Sequence, residues 1–253
     1  MLDANIPQNL LLLVLIFFLA ISLRYFIAAG VFFVHYYIFH QKKYRGKILS
    51  KKVAEKSQYK KEILWSIKSS AVFAVVGAIA FWMWQNGWTA IYVNVHEYPL
   101  WYLPLSLILI MLIHETYYYW VHRWMHHPKV FKRVHKVHHL SLTPTPWTAF
   151  SFHPYECILE AIILPLILLV VPVHISVLAI YLLLMTVSSV VNHLNIEIYP
   201  KAFMNSRFGK LFIGATHHHL HHQQFKTNYG LYFTFWDKWM GTENRGKSKD
   251  FNG

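Results

Sequence analysis

The chain has 253 residues, of which 55% are hydrophobic, 17% aromatic and only 14% charged, and its formal net charge is +13. A soluble nucleic-acid-binding domain of this basicity would normally hold many more charged residues, and a disordered basic protein would not be so aromatic. The single cysteine, Cys157, excludes a disulfide-stabilised scaffold. The composition therefore indicates a membrane protein whose charges are mostly positive, and its 18 histidines need a separate explanation.

Four apolar stretches are long enough to enter or cross a bilayer, which takes roughly 20 residues per helix. They are 10–39, 67–84, 100–113 with an aromatic continuation at 117–120, and 158–191. Pro172 lies near the middle of the last stretch and would break a single helix, so this stretch predicts a helical hairpin. We therefore expect an all-α, polytopic membrane bundle of about three transmembrane helices plus this hairpin.

Arg24 interrupts the first apolar stretch, and the sequence offers it no evident partner. A charge inside a membrane is a functional candidate by default. A long side chain near the end of a shorter span can also extend to the interface, and this is the arrangement that we expect for Arg24.

The basic residues predict the orientation of the bundle. Ten lysines and arginines lie at 42–68, five at 123–136 and eight at 201–249, whereas the connections at 85–99 and around Pro172 carry none. The four apolar stretches thus place 23 of the 24 basic residues on one side, which the positive-inside rule makes the cytosolic side. Because topology and anionic lipid headgroups account for the charge, we expect no nucleic-acid partner.

Fifteen of the 18 histidines fall between His114 and His222, and most of them form three groups just beyond the apolar stretches. The groups are His122, His126 and His127; then His135, His138 and His139; then His217, His218, His219, His221 and His222. Positions i, i+3 and i+4 share one face of a helix. The spacing therefore predicts that each group projects its histidines in one direction, within a histidine-rich helical cap on the cytosolic side.

Such a cap is typical of a metal site, because imidazole binds zinc, copper, iron and nickel. A structural zinc site would normally recruit cysteine, and eight or more candidate histidines exceed one coordination sphere, so two metals are expected. The Glu-x-x-His repeat of the soluble di-iron bundles is absent. The alternatives are a metal transporter, whose ligands usually lie near the bilayer midplane, and a haem protein with single histidines on facing helices.

The histidine groups and the segments around them resemble the sterol desaturase / fatty acid hydroxylase superfamily of membrane non-haem di-iron enzymes. The similar segments are Y-W-V-H-R-W-M-H-H-P at 119–128, F-K-R-V-H-K-V-H-H at 131–139, P-T-P-W at 144–147, F-H-P-Y-E at 152–156, N-H at 192–193, N-Y-G at 228–230 and F-W-D-K-W-M-G-T at 235–242. The P-T-P segment and the last run look most like the sterol C5-desaturase (lathosterol oxidase) branch.

The resemblance implies a set of metal ligands among these histidines. They are His122, His126 or His127, His135, His138, His139, His193, His218, His221 and His222, with His126 and His127 competing for one role. Around them, Glu115 and Glu197 are candidates to accept hydrogen bonds from ligand imidazoles, or else are ordinary interfacial carboxylates. Asn192 is a candidate to hold a metal-bound water, and His217 is a candidate outer neighbour of the site.

The resemblance further implies two iron ions, O2 as co-substrate and a membrane lipid as substrate, with desaturation or hydroxylation as the outcome. A sterol-like lipid is expected, and fatty acyl, sphingolipid or carotenoid hydroxylation remains an alternative. Because no H-P-G-G haem motif is present, electrons would come from a separate cytochrome b5- or ferredoxin-like donor. We expect residues 1–99 to hold the first helices and a basic loop, 100–245 the di-iron domain, and 246–253 a polar tail.

Overall fold

The computed structural model describes residues 3–50, 52 and 54–246, so the predicted polar tail lies outside the described residues from position 247 onward. The described part is almost entirely helical. Its α-helices are α1 Pro7–Phe33, α2 Gln41–Tyr44, α3 Lys56–Gln85, α4 Tyr102–Met125, α5 Pro128–Val134, α6 Pro154–Val170, α7 Ile175–Asn192, α8 Lys201–Asn205, α9 Ala215–Gln224 and α10 Phe235–Trp239. Two two-residue strands, β1 Ile91–Tyr92 and β2 Val173–His174, pair in parallel.

Three helical segments are long and apolar enough to cross a membrane, in agreement with an all-α membrane bundle. They are Pro7–Phe39 (α1 with a π-helical extension at Val34–Phe39), Lys56–Gln85 and Ile175–Asn192. Three spans were also expected from the sequence, but they are not the same three: the second helix of the hairpin, α7, is among them. Helix α4, expected as the third span, is not among them because its second half carries His114, Glu115 and three tyrosines.

Helices α1 and α3 pack side by side and define the two ends of the bundle. At one end, the Ala4 backbone N–H donates to Gln85 Oε1 at 2.8 Å. Midway, the ring of Phe17 packs over Gly77, where an added Cβ would be in ordinary van der Waals contact with the ring at 3.4 Å. Towards the other end, the Tyr25 hydroxyl donates to the Trp147 carbonyl at 2.8 Å.

The predicted hairpin is confirmed, and it spans the same two ends. Helix α6 runs to Val170, the chain turns at Pro172, and α7 returns from Ile175. At the turn, strand β2 pairs with β1, so that the loop after α3 closes over the hairpin tip. We call this the strand end of the bundle. The start of α6 and the end of α7 lie at the opposite end, which we call the histidine end.

A buried carboxylate fastens the histidine end to α3. Glu62 is only 2% exposed, and its carboxylate accepts hydrogen bonds from the side chains of Gln58, Ser141, Thr145 and Thr148 at 2.5–2.9 Å. The last three donors lie in the loop between the second histidine group and α6. A buried charge of this kind is stable only when its hydrogen bonds are made. Glu62 therefore fixes the path of this loop.

The Glu62→Ala substitution should destabilise the protein, because it leaves the hydroxyls of Ser141, Thr145 and Thr148 without this acceptor in a buried site. We expect a loss of about 3 kcal/mol, which for a chain of this size corresponds to a melting temperature lower by roughly 6–12 °C. Thermal unfolding of the detergent-solubilised protein measures the shift. The matched control is Glu55→Ala, since Glu55 is exposed at the start of the same helix and should change the melting temperature little. Equal effects of the two substitutions would contradict the anchoring role.

Candidate metal centre

Nine histidines converge at the histidine end and divide into two clusters. The five-histidine cluster consists of His122, His126, His135, His139 and His221, and the four-histidine cluster of His138, His193, His218 and His222. Within each cluster the ligand atoms all lie within 4.8 Å of one another, and eight of the nine side chains are buried. All nine belong to the ligand set that the resemblance implies.

The second and third histidine groups each contribute to both clusters, which the helical spacing did not predict. Helix α5 ends at Val134, and the chain continues into a 3₁₀-helix at His138–Leu140. Because the second group is not on one α-helix, His138 turns towards the four-histidine cluster while its neighbours in the group face the other. On α9, adjacent residues are about 100° apart around the axis, so His221 and His222 face different clusters.

Hydrogen bonds to the outer ring nitrogens set the orientation of the imidazoles. In five of the nine histidines Nδ1 donates to a fixed oxygen acceptor, at 2.5–3.4 Å. The pairs are His122 with Tyr229 O, His135 with Glu156 Oε1, His138 with Ser151 O, His193 with Ser189 O and His221 with Thr227 O. A neutral imidazole whose Nδ1 carries the proton presents a lone pair at Nε2. The acceptors therefore direct Nε2 lone pairs into the clusters.

These lone pairs face one another at short distances. Nε2 of His122 and Nε2 of His135 are 3.1 Å apart, and Nε2 of His138 and Nε2 of His193 are 3.2 Å apart. Since Nδ1 of each of these rings already donates its proton elsewhere, no proton remains between the two Nε2 atoms. Facing acceptors repel each other unless a cation lies between them. The arrangement is that of a metal-binding donor set.

The distances between donor atoms also fit a metal of ordinary size. Imidazole nitrogen lies about 2.0–2.1 Å from a zinc-sized ion, so neighbouring donors in a tetrahedral or octahedral shell would be roughly 2.9–3.4 Å apart. In the five-histidine cluster, the Nε2 atoms of His139 and His221 are 3.1 Å apart. In the four-histidine cluster, Nε2 of His218 is 2.9 Å from that of His193 and 3.1 Å from that of His222. Each cluster thus fits one metal ion.

Burial keeps these rings neutral, as a metal ligand requires. Removal from water lowers the pKa of His193 and of His221 to about 4. The pKa values of His135 and His138 are lowered well below the usual range, first by burial and then by the neighbouring imidazoles. The Nε2 lone pairs therefore remain available at neutral pH.

Three histidines of the sequence groups lie outside both clusters: His127, His217 and His219, whose Nε2 lies 2.8 Å from the Gln223 amide nitrogen. His127 is exposed and caps helix α5, where its Nδ1 accepts from the Lys129 backbone N–H at 3.4 Å. Of the two competing residues, His126 is therefore the one beside the other cluster histidines. His217 is buried, but within the described part of the chain neither of its ring nitrogens has a hydrogen-bond partner.

The three polar residues considered around the histidines are placed as follows. Of the two alternatives for Glu115 and Glu197, the hydrogen bonds agree with a structural carboxylate, since each accepts backbone N–H groups. Asn192 lines the same cavity as His193 and His218. Glu115 accepts from Leu231, Tyr232 and Phe233 at 2.6–3.3 Å, because α4 brings it against that loop. The Asn192 amide donates to the Leu231 carbonyl at 3.0 Å.

The carboxylate that does contact a cluster histidine is Glu156, which sequence reasoning did not single out as a site residue. Its Oε1 accepts from His135 Nδ1 at 2.5 Å, and both side chains are fully buried. A carboxylate behind a ligand imidazole fixes the tautomer and makes the ring a stronger donor. The only signal in the sequence was its place at the end of the F-H-P-Y-E segment.

The loop that carries the His122 acceptor is held by two buried carboxylates. Asp237 accepts from the backbone N–H groups of Tyr229 and Gly230 at 2.9 Å each, and Glu115 holds the residues that follow. A Cβ at Gly230 would lie 2.5 Å from the Phe233 carbonyl oxygen and 2.9 Å from Glu115 Oε1. The glycine of the N-Y-G segment is therefore required by the close approach of this loop to α4.

A large apolar cavity leads to the four-histidine cluster. Its volume is about 510 Å³, within the range of small-molecule sites, and α1, α3, α4, α6 and α7 all contribute to its wall. His193 and His218 line it at the histidine end. Most of the other lining residues are apolar, down to Trp84 and Ile175 at the strand end. An apolar molecule in this cavity would lie between the helices and touch two of the cluster imidazoles.

Comparison with known proteins agrees with this site. The family model described as fatty acid hydroxylase matches residues 107–242, more than half of the chain and all nine cluster histidines. The chain belongs to the fatty acid hydroxylase family. This membership confirms the resemblance to the sterol desaturase / fatty acid hydroxylase superfamily. No solved structure matches the chain.

Characterised relatives include sterol-modifying proteins. Lathosterol oxidase of Mus musculus is 32% identical over 191 residues, which are 74% of this chain and 62% of the relative. A Delta(7)-sterol 5(6)-desaturase of Gibberella zeae is 34% identical over 194 residues, 74% of this chain and 56% of the relative. Another, from Schizosaccharomyces pombe, is 28% identical over 235 residues, 92% of this chain and 67% of the relative. The chain thus spans about three fifths of the length of these relatives.

The Glu115→Ala substitution should loosen the loop at 229–233, because three backbone N–H groups lose their acceptor. We expect amide hydrogen exchange in this loop to become at least tenfold faster, which corresponds to about 1.4 kcal/mol of lost protection. Hydrogen-exchange mass spectrometry of the solubilised protein measures it. Glu243→Ala is the control, since the Glu243 carboxylate only pairs with the half-exposed Arg245 and such pairs contribute little. Unchanged exchange in Glu115→Ala would contradict the proposed anchoring.

Proposed function

We propose that this protein oxidises a membrane lipid with O2, using two iron ions held by the five-histidine and the four-histidine clusters. One observation carries the proposal. An apolar cavity of about 510 Å³ ends on His193 and His218, which belong to the four-histidine cluster. A lipid-sized cavity that opens directly onto a metal-binding donor set suits a reaction on an apolar carbon.

The donor set supports iron as the metal. Each cluster offers only neutral imidazole nitrogen, and the single thiol, Cys157, is in neither. Imidazole suits iron as well as zinc, but a structural zinc site would not need nine ligands in two adjacent groups. Bound iron would supply the activation of O2 for removal of hydrogen from an unactivated C–H bond.

The protein's own residues have three tasks in this reaction. The carbonyl and carboxylate acceptors, such as Tyr229 O and Glu156, keep the imidazoles neutral and correctly turned. The loops held by Glu62, Glu115 and Asp237 keep the two clusters in place. The apolar wall of the cavity excludes water and aligns the lipid so that one carbon lies near the four-histidine cluster.

A sterol-like lipid is the proposed substrate, because the named relatives act on sterols. Either desaturation or hydroxylation consumes one O2 and two electrons. The electrons would come from a separate cytochrome b5- or ferredoxin-like donor. The basic segments at 42–68, 123–136 and 201–249 support a cytosolic position of the histidine end. Fatty acyl, sphingolipid or carotenoid oxidation is the alternative within the family.

Metal analysis tests the assignment of the clusters. Purified wild-type protein should contain about two iron ions per chain. His135→Ala and His138→Ala, one in each cluster, should each lower the iron content by at least half and abolish oxidation, because a buried ligand shell loses a donor. His126→Ala should also lower it, whereas His127→Ala is the matched control and should keep the wild-type value. Full iron content in His138→Ala, or zinc in place of iron, would refute the proposal.

Lipid profiling of cells with and without the protein tests the reaction. We expect one lipid to lose two hydrogens or to gain one oxygen when the protein is present, and this change should disappear without O2 and in His138→Ala. The mass difference identifies both the lipid and the outcome. Zinc transport into vesicles without O2 consumption would instead indicate a metal transporter.

A further inference from the structure

The cavity has two chemically different ends. At the strand end its wall is formed by Trp84, Ile91, Leu168 and Ile175, and no charged side chain lies there among the described residues. At the histidine end two charged residues, Arg24 and Glu160, belong to the wall. Their surroundings show that both lie close to the clusters.

Glu160 is placed by helix α6. It follows Glu156, the acceptor of His135 Nδ1, by one helical turn, a distance of about 6 Å along the axis. Its Oε1 is buried, and no hydrogen-bond partner for it exists within the described part of the chain. No other role in the site uses this carboxyl group, since Glu156 already holds the histidine.

Arg24 is placed by helix α1. The next residue, Tyr25, donates to the Trp147 carbonyl, and its ring stacks on Phe150 with 5.2 Å between centroids. Two residues further on, the ring of Phe152 lies 5.0 Å from that of His138. We expected Arg24 to extend to the interface; instead it lines the cavity, and its buried Nε has no partner in the described residues.

Arg24 and Glu160 do not pair with each other. No ion pair joins Arg24 and Glu160, and the ion pairs of the described residues involve other side chains. Polar groups facing an apolar space without hydrogen bonds cost free energy, and a charged side chain at membrane depth usually marks a binding site or a pathway. Two such groups at one end of a lipid-sized cavity need a polar ligand.

We propose that Arg24 and Glu160 bind the polar group of the lipid, so that the lipid enters head first and is oxidised at a carbon near that group. The apolar body of the lipid then extends towards Trp84 and Ile175. The inference rests on the proposed function, because it assigns this cavity to the substrate.

The polar group is assigned as a hydroxyl. One wall residue is a hydrogen-bond donor and the other offers a carboxyl Oε1 that lacks a donor, so an anionic head would accept from Arg24 but leave Glu160 Oε1 without a partner. A hydroxyl is neutral, accepts a hydrogen bond from the guanidinium and donates one to a carboxyl oxygen. A free carboxylate ligand is the competing chemistry, and the experiment separates the two.

Equilibrium binding to the purified protein in nanodiscs, without O2 and without an electron donor, tests the proposal without turnover. The probes are cholesterol, its 3-O-methyl ether, which keeps the acceptor oxygen but not the donor, and cholestane, which has neither. Wild type should bind cholesterol about tenfold more tightly than the ether, as expected for one hydrogen bond to a charged group. Glu160→Leu should remove this difference, and Glu160→Gln should restore part of it, because the amide keeps an acceptor oxygen.

Arg24 is tested by the second pair of probes. Wild type should bind the ether more tightly than cholestane, Arg24→Leu should remove this preference, and Arg24→Lys should retain part of it. Leu164→Ala is the control, since Leu164 lines the same cavity on α6 and its loss should weaken all three probes alike. The proposal would be overturned if wild type bound the three probes equally. It would also be overturned if Arg24→Leu and Glu160→Leu both kept the wild-type preferences.

Two further results separate the alternatives. Tighter binding of octadecanoate than of octadecan-1-ol, lost in Arg24→Leu, would overturn the hydroxyl assignment in favour of an acid. Hydroxyl-dependent binding in a protein that contains no iron and oxidises no lipid would support the head-first site while refuting the proposed function. Where oxidation occurs, the modified carbon should lie within a few bonds of the hydroxyl carbon.

Discussion

The structure depends on one constraint: imidazole lone pairs that face each other at about 3 Å inside a protein need a cation between them. In pairs such as His122 with His135, and His138 with His193, the outer nitrogens are already bound to fixed acceptors, so protons do not relieve the contact. Burial keeps the rings neutral. Two closely packed groups of neutral donors are therefore stable as ligand shells, and the surrounding framework holds them at that spacing.

The framework consists of helix ends and buried carboxylates. Helices α4, α7 and α9 deliver histidines at the histidine end, and irregular loops deliver the rest. Loops alone would not keep such a spacing, because their backbone groups need fixed partners. Glu115 and Asp237 supply such partners by accepting backbone N–H groups of one loop, and Glu62 holds another loop by accepting from its side-chain hydroxyls. Glu156 does the same directly for a histidine. Four acidic side chains in a basic protein thus hold the site.

The cavity links this framework to the membrane. Helices that form the bundle also enclose a mostly apolar space that ends at the four-histidine cluster, so the same packing positions the histidines and shapes the cavity. The five-histidine cluster does not line this space. The two clusters therefore differ in access to this space, although both consist of imidazoles. Arg24 and Glu160 make one end of this space polar. In the proposed complex, they therefore orient the lipid with its polar group at that end.

The sequence alone determined the apolar helices, the hairpin around Pro172, the three histidine groups and the family, because each depends on residues that are near one another in the chain. It could not divide the histidines between two clusters: the spacing at His135, His138 and His139 suggested one helical face, but the chain changes from an α-helix to a 3₁₀-helix there. Nor could the sequence predict that Glu156 and Glu62 accept hydrogen bonds that hold the site, or that Arg24 lines a cavity. Those roles arise only when distant segments pack together, since a buried carboxylate or guanidinium is defined by partners that sequence spacing does not reveal.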